Sequence, residues 1–176
     1  MSLFRKTASA LCLLALGTTP LAAKGPPSAA ASAPIFTADG HDVGYAVLVS
    51  QHDKAVLKIS LAGLTPGAHG LHFHTTGRCK GTNFADAGGH LNPTGKMHGA
   101  MNPAGSHMGD LPNITADTSG NALMDIKLPG SAKKLLAAIF DIDGTAIIIH
   151  AAPDDYMTDP SGNSGARFAC GVFKAN

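Results

Sequence analysis

Leu57-Lys58-Ile59-Ser60-Leu61 and Met124-Asp125-Ile126-Lys127-Leu128 share one pattern, an apolar residue at every second position with polar or charged residues between. Side chains alternate between two faces only along extended chain, so both stretches predict half-buried β-strands. Ile114 and Ala116 share a face in a shorter segment of the same kind. Ala146 to Ile149 is apolar throughout, as in a strand covered on both faces. The pairs Asp39-Gly40, Pro66-Gly67, Ser119-Gly120 and Asp143-Gly144 supply turns between these runs. With 21 Gly and 11 Pro in 176 residues, the chain predicts many turns, little helix and a β-sandwich or barrel. One connection, Ser131 to Phe140 (SAKKLLAAIF), has good helix formers and predicts a short helical turn.

Charge narrows the range of partners. Thirteen Lys and Arg against 12 Asp and Glu, with a charged fraction of 14%, leave no basic surface for a phosphate backbone, so nucleic acid is not expected. At the N-terminus, Arg5 and Lys6 precede the apolar run Ala8 to Leu16, followed by small residues at Ala22 and Ala23. That order predicts a signal peptide over residues 1–23, too short in its apolar core to span a bilayer, so no membrane association is expected after its removal. Residues 24–34 (KGPPSAAASAP) show no periodicity and predict a disordered leader, with the domain running over 35–176. Cys12 is expected to leave with the signal. Cys79 and Cys170 remain, and in an exported, oxidising setting, periplasmic or secreted, they predict one disulfide.

Nine histidines beside two tyrosines is the oddest feature of the composition. Thr75 to Asp110 is a stretch of Gly, Pro, Asn and His without periodicity, and a loop that long in a compact domain needs something to order it. His90, His98, His107 and Asp110 fall within it at separations of 8, 9 and 3. Three imidazoles and a carboxylate suit a closed tetrahedral zinc site. His72 and His74, two residues apart on a strand, project from one face, and His150 ends the apolar run Ala146 to Ile149. Three such donors with room for more suit copper. Met97, Met101 and Met108 lie among these histidines and are read as loop packing rather than copper acquisition.

These residues resemble those of an exported bacterial Cu,Zn superoxide dismutase. Gly70-Leu71-His72-Phe73-His74 is similar to that family's copper motif, with Leu71 where an aromatic is usual. Ala87-Gly88-Gly89-His90-Leu91-Asn92-Pro93, leading to His98, His107 and Asp110, is similar to its zinc loop. Gly162 to Gly171 (GNSGARFACG) is similar to its C-terminal signature, with Phe173 following where a β-branched residue is common. The resemblance implies an all-β Greek-key barrel or sandwich of about eight antiparallel strands with long metal-binding and active-site loops. It implies one copper per chain on His72, His74, His90 and His150, and one zinc per chain on His90, His98, His107 and Asp110. His90 then bridges both metals as an imidazolate and carries a proton during dismutation of superoxide to oxygen and hydrogen peroxide by redox-cycling copper. Arg167 docks the anion, and Asp154 accepts from the free N–H groups of His72 and His98. The alternative for Asp154 is a solvated turn residue like its neighbour Asp155. His69 is similar to the family's buried, hydrogen-bonded histidine, while His41 and His52 match no ligand position and are expected on the surface.

Ala151 to Ser161 carries three aspartates and no cation, so steering charge must come from elsewhere. Arg78 and Lys80 are expected to supply it together with Arg167. The rival reading is a non-catalytic copper- and zinc-binding or buffering protein on the same fold. Loss of a ligand or of Arg167 would favour that rival, and neither is lost. Monomer and homodimer both remain open, because a dimer interface would be ordinary apolar strand surface.

Overall fold

The computed structural model describes residues 28–176. The expected signal peptide and residues 24–27 of the expected leader lie outside them. An eight-stranded antiparallel sheet dominates. β1 (Ser28–Thr37), β2 (Asp42–Gln51), β3 (Lys54–Leu61) and β7 (Ala122–Leu128) pair in succession, and β9 (Arg167–Val172) and β8 (Ala146–His150) continue the sheet from β1 to β5 (Leu71–His74). The short β10 (Lys174–Ala175) pairs with β1. β4 (Gly67–His69) runs through Gly70 into β5 and pairs with β6 (Ile114–Ala116), which leads by a turn into β7. The two edges of the sheet are thereby brought together. The long crossover from β7 to β8 makes the order non-sequential, as in Greek-key connectivity. Among the described residues no helix is long and apolar enough to cross a membrane.

The alternation read from the sequence sets the core. Leu57, Ile59 and Leu61 of β3 and Ala122, Ile126 and Leu128 of β7 are buried. The expected helical turn is α1 (Ala132–Ile139), which buries Ala132, Leu135 and Ile139. The leader is a correction. Residues 28–34, expected to be disordered, form most of β1, with Ala31, Ala33 and Ile35 fully buried and Ala31 paired with Leu48 of β2. Small alanines give no visible period, yet a barrel interior crowded by Leu48 and Leu57 accepts them, and the ladder to β2 supplies the pairing.

β8 is the strand that positions the site. Ile147 and Ile149 face the barrel core, while Ala146 and Ile148 pack outward with Cys170 against Phe84 and Ala87 of the loop that follows β5. That loop contains a short helical segment, Thr82–Ala87. A disulfide joins Cys79 in the loop to Cys170 on β9, with the Cα atoms 5.7 Å apart.

Candidate metal centre

His72 lies opposite Ile148 and His74 opposite Ala146 in the β5–β8 ladder. Directly opposed residues share a face, so both imidazoles stand outside the barrel on the side covered by the loop, while Leu71 and Phe73 fill the core. A register shift between Ile149 and His150 sets His150 opposite Arg167 of β9. Bulges of this kind re-aim side chains. The other edge of β5 is closed by two passes of the long loop. Leu91 N–H donates to Phe73 O at 2.8 Å, and Phe73 N–H donates to Gly109 O at 2.9 Å. These passes deliver His90 and Asp110. Gly109 comes so close that a Cβ there would lie 2.4 Å from Phe73 O.

Four buried ring nitrogens meet in the first cluster: His72 Nδ1, His74 Nε2, His90 Nε2 and His150 Nε2. None has a hydrogen-bond partner, and the four residues each offer a ligand atom within 4.8 Å of the others. Their opposite nitrogens are occupied. His72 Nε2 donates to Asp154 Oδ2 at 2.7 Å, His74 Nδ1 to Gly88 O at 2.9 Å and His150 Nδ1 to Gly165 O at 3.3 Å. A neutral imidazole that donates from one nitrogen presents a lone pair at the other, so three donors aim lone pairs at one space. A buried, unpaired acceptor is unfavourable, and four in one place call for a cation.

In the second cluster the Nδ1 atoms of His90, His98 and His107 surround Asp110 Oδ1 at 2.9, 3.1 and 3.0 Å. His90 Nδ1 and His107 Nδ1 are 3.5 Å apart. A tetrahedral ion with bonds of about 2.0–2.1 Å has ligand–ligand edges of about 3.3 Å, close to this spacing. Asp110 Oδ2 is already satisfied by the N–H groups of Gly99 and His107, both at 2.9 Å, which leaves Oδ1 turned inward. His90 belongs to both clusters, one nitrogen toward each.

Asp154 joins the two clusters. Its Oδ1 accepts from His98 Nε2 at 3.0 Å as its Oδ2 accepts from His72. The carboxylate is buried, whereas Asp155 is exposed and binds Thr158 and Asn163, which decides between the two neighbours. Gly162 packs against this junction, and a Cβ there would fall 1.8 Å from Asp154 Oδ1. Among the described residues no other histidine joins these clusters. His69 is buried and binds the carbonyls of His150 and Thr65, outside both clusters. His41 and His52 are exposed, as expected.

Burial pushes His74 down to about 2, His150 to about 3 and His90 to about 4. The Asp110 hydrogen bond works against this at His90. Burial opposes ionisation of Asp110, but His90 and the Gly99 and His107 amides outweigh it and hold the carboxyl well below the usual range. In the unfolded chain these rings take a proton near pH 6.5, which the folded chain refuses until far lower. The unfolded state therefore binds more protons as pH falls, and stability present above about pH 6.5 is lost toward pH 4. Each ring contributes a slope of about 1.4 kcal/mol per pH unit. The thermal midpoint of the metal-free protein is expected to fall steadily between pH 7 and 4.5. A flat profile would contradict neutral, buried rings.

The clusters open on a cavity lined by His74, His90, His150, Arg167, Lys96 and Asp159. Arg167 donates from Nη1 to Phe84 O at 2.7 Å and from Nη2 to Gly88 O at 2.6 Å, so two loop carbonyls hold it against the histidines. Arg78 and Lys80, expected near the disulfide to supply steering charge along with Arg167, do line a hollow there with Cys79 and Asp86, but they do not line the cavity over the histidines. The second cation of the cavity is Lys96, which sequence reasoning missed although it stands two residues before His98. Asp159 was also missed in this role; it accepts from the His98 N–H at 2.6 Å. The methionines divide: Met108 packs on the core, while Met97 and Met101 are exposed rather than packed.

Comparison with known proteins follows the same line. A family model described as copper/zinc superoxide dismutase (SODC) matches residues 43–173. Superoxide dismutase (Cu-Zn) 2 of Aquifex aeolicus is 41% identical over 147 residues, which cover 82% of this chain and 86% of that protein. The Cu-Zn superoxide dismutase of Caulobacter vibrioides is 41% identical over 148 residues, 82% and 85% of the two chains. Among solved structures, a SOD-like protein from Bacillus subtilis superposes with a TM-score of 0.74 at 39% identity, covering 80% of this chain and 96% of that one. The Cu/Zn superoxide dismutase from Brucella abortus gives a TM-score of 0.65 at 29% identity, covering 80% and 97%.

Proposed function

The chain belongs to the copper/zinc superoxide dismutase family, and from that premise we propose that His72, His74, His90 and His150 hold one copper while His90, His98, His107 and Asp110 hold one zinc. The convergence of four unpaired, buried ring nitrogens carries this reading. Neutral nitrogen donors suit copper, and a closed set of three nitrogens and a carboxylate oxygen suits zinc. Bound copper supplies a one-electron couple for dismutation, in which two superoxide anions and two protons become oxygen and hydrogen peroxide.

The protein's own groups then have distinct tasks. Arg167 stays protonated at neutral pH although burial lowers it from its ordinary value. Two of its five N–H groups are fixed by carbonyls, and the others are free to meet the anion. His90 keeps Nδ1 on the Asp110 side and can take up or release a proton at Nε2. Asp154 fixes the rings of His72 and His98, as outer carboxylates do for ligating histidines. The non-catalytic alternative is not favoured, since the matching family model and relatives are superoxide dismutases.

The residue pattern at 1–23 and the Cys79–Cys170 disulfide support export to an oxidising compartment, periplasmic or extracellular. The decisive experiment measures superoxide consumption by the purified mature protein with copper and zinc counted in the same sample. Rapid dismutation with about one of each per chain is expected from the two donor sets. Full metal loading without activity would instead identify a metal-binding protein.

Lys96 and Arg167 are the cations of the cavity. Lys96→Gln should lower kcat/KM by a factor of about 2 to 5 and flatten its dependence on ionic strength. Replacing Arg78 and Lys80 together by Gln should do less, and the reverse order would restore those two as the steering charges.

A further inference from the structure

Asp154 lies in the connection between β8 and β9, and something must hold its main chain if its carboxylate is to hold two rings. Asn113, three residues after Asp110 and immediately before β6, does this. Its Nδ2 donates to Asp154 O at 2.9 Å, and its Oδ1 accepts from the Asp154 N–H at 2.8 Å. The side-chain amide thereby makes both hydrogen bonds that a paired strand would make to that residue. The N–H of Asn113 also donates to the Tyr156 hydroxyl at 2.8 Å, and the Tyr156 N–H donates to Asp154 Oδ1 at 2.6 Å. Two of these bonds grip the Asp154 backbone, and a third reaches its carboxylate through Tyr156.

The chemistry of the contact is specific. An aspartate at 113 could accept from the Asp154 N–H but could not donate to its carbonyl, and an alanine could do neither. The consequence passes through the rings. His72 donates to Asp154 from Nε2 and so keeps a lone pair at Nδ1 for the first cluster. His98 donates from Nε2 and keeps Nδ1 for the second. Any drift of Asp154 releases both ring orientations at once.

We propose that Asn113 is a positioning residue for both metal clusters, clamping the Asp154 main chain so that its carboxylate holds His72 and His98 in the ligating tautomer and orientation. This rests on the metal-binding reading above. The test is a double-mutant cycle of Asn113→Ala and Asp154→Ala in the full mature protein, with zinc and copper affinities measured by competition with a chromophoric chelator. Outer partners of metal ligands are worth about 10–100-fold in affinity, and a residue one step further out is expected at the lower end, about 10-fold for zinc.

Because Asn113 acts through Asp154, the double variant should bind zinc no more weakly than Asp154→Ala alone. The electron paramagnetic resonance spectrum of bound Cu(II) should shift in Asn113→Ala in the same sense as in Asp154→Ala, a signature that a general loss of stability would not produce. Asn113→Asp, which keeps one of the two backbone bonds, should fall between wild type and alanine, and it carries the test if the alanine variant does not fold. Zinc affinity of Asn113→Ala within twofold of wild type, or losses that add in the double variant, would overturn the proposal. Failure of the wild-type protein to bind either metal would instead overturn the metal-binding reading.

Discussion

His150→Ala is expected to abolish copper binding and dismutation while leaving zinc in place. The substitution removes one of four convergent nitrogens and leaves His90, His98, His107 and Asp110, which make up the second cluster, unchanged. Its backbone contacts survive, since the His150 N–H donates to Gly70 O and its carbonyl accepts from His69 Nδ1. The fold should therefore persist. Loss of an outer partner already lowers metal affinity or activity by about 10–100-fold, so loss of a direct donor is expected to exceed about 100-fold. Metal counts and superoxide consumption on the same sample check this. Unchanged copper and rate in the variant would remove His150 from the site. His90→Ala makes the contrast, because that ring faces both clusters and its loss should empty both.

Much of this site is legible in the amino-acid sequence. Alternation in Leu57–Leu61 and Met124–Leu128 marks the barrel wall because a strand shows its period wherever one face is wet. The histidines are legible for another reason: His72 and His74 share a strand face, and the spacing of His90, His98, His107 and Asp110 has no use in packing. What the sequence hides depends on contacts between residues far apart in the chain. Asp154 and Asp155 are the same residue type side by side, and only burial separates them. β1 hides behind its alanines. Lys96 and Asn113 carry no pattern at all, since one matters for the cavity it borders and the other for a main chain 41 residues away.

Removal of the disulfide by Cys79→Ser with Cys170→Ser is expected to lower stability by a large amount. The bridge spans 91 residues of sequence. In the chain-entropy account, closing such a loop restricts the unfolded ensemble by about 4.6 kcal/mol, and losses of about 2–5 kcal/mol are usual for native bridges. Denaturant unfolding of the metal-free pair should show that loss as a lower midpoint, and a midpoint equal to wild type would show that the bridge contributes nothing. A second, local effect separates this change from a general one. The bridge holds the segment whose Phe84 and Gly88 carbonyls fix the Arg167 guanidinium, and whose Phe84 and Ala87 cover Ile148. With the segment loosened, Arg167 loses both of its acceptors, while among the proposed metal donors only His74 loses a partner there, the Gly88 carbonyl. The metal-loaded variant should retain copper and zinc yet dismutate more slowly, with a weaker dependence on ionic strength, because the cation proposed to meet the anion is no longer held at the cavity.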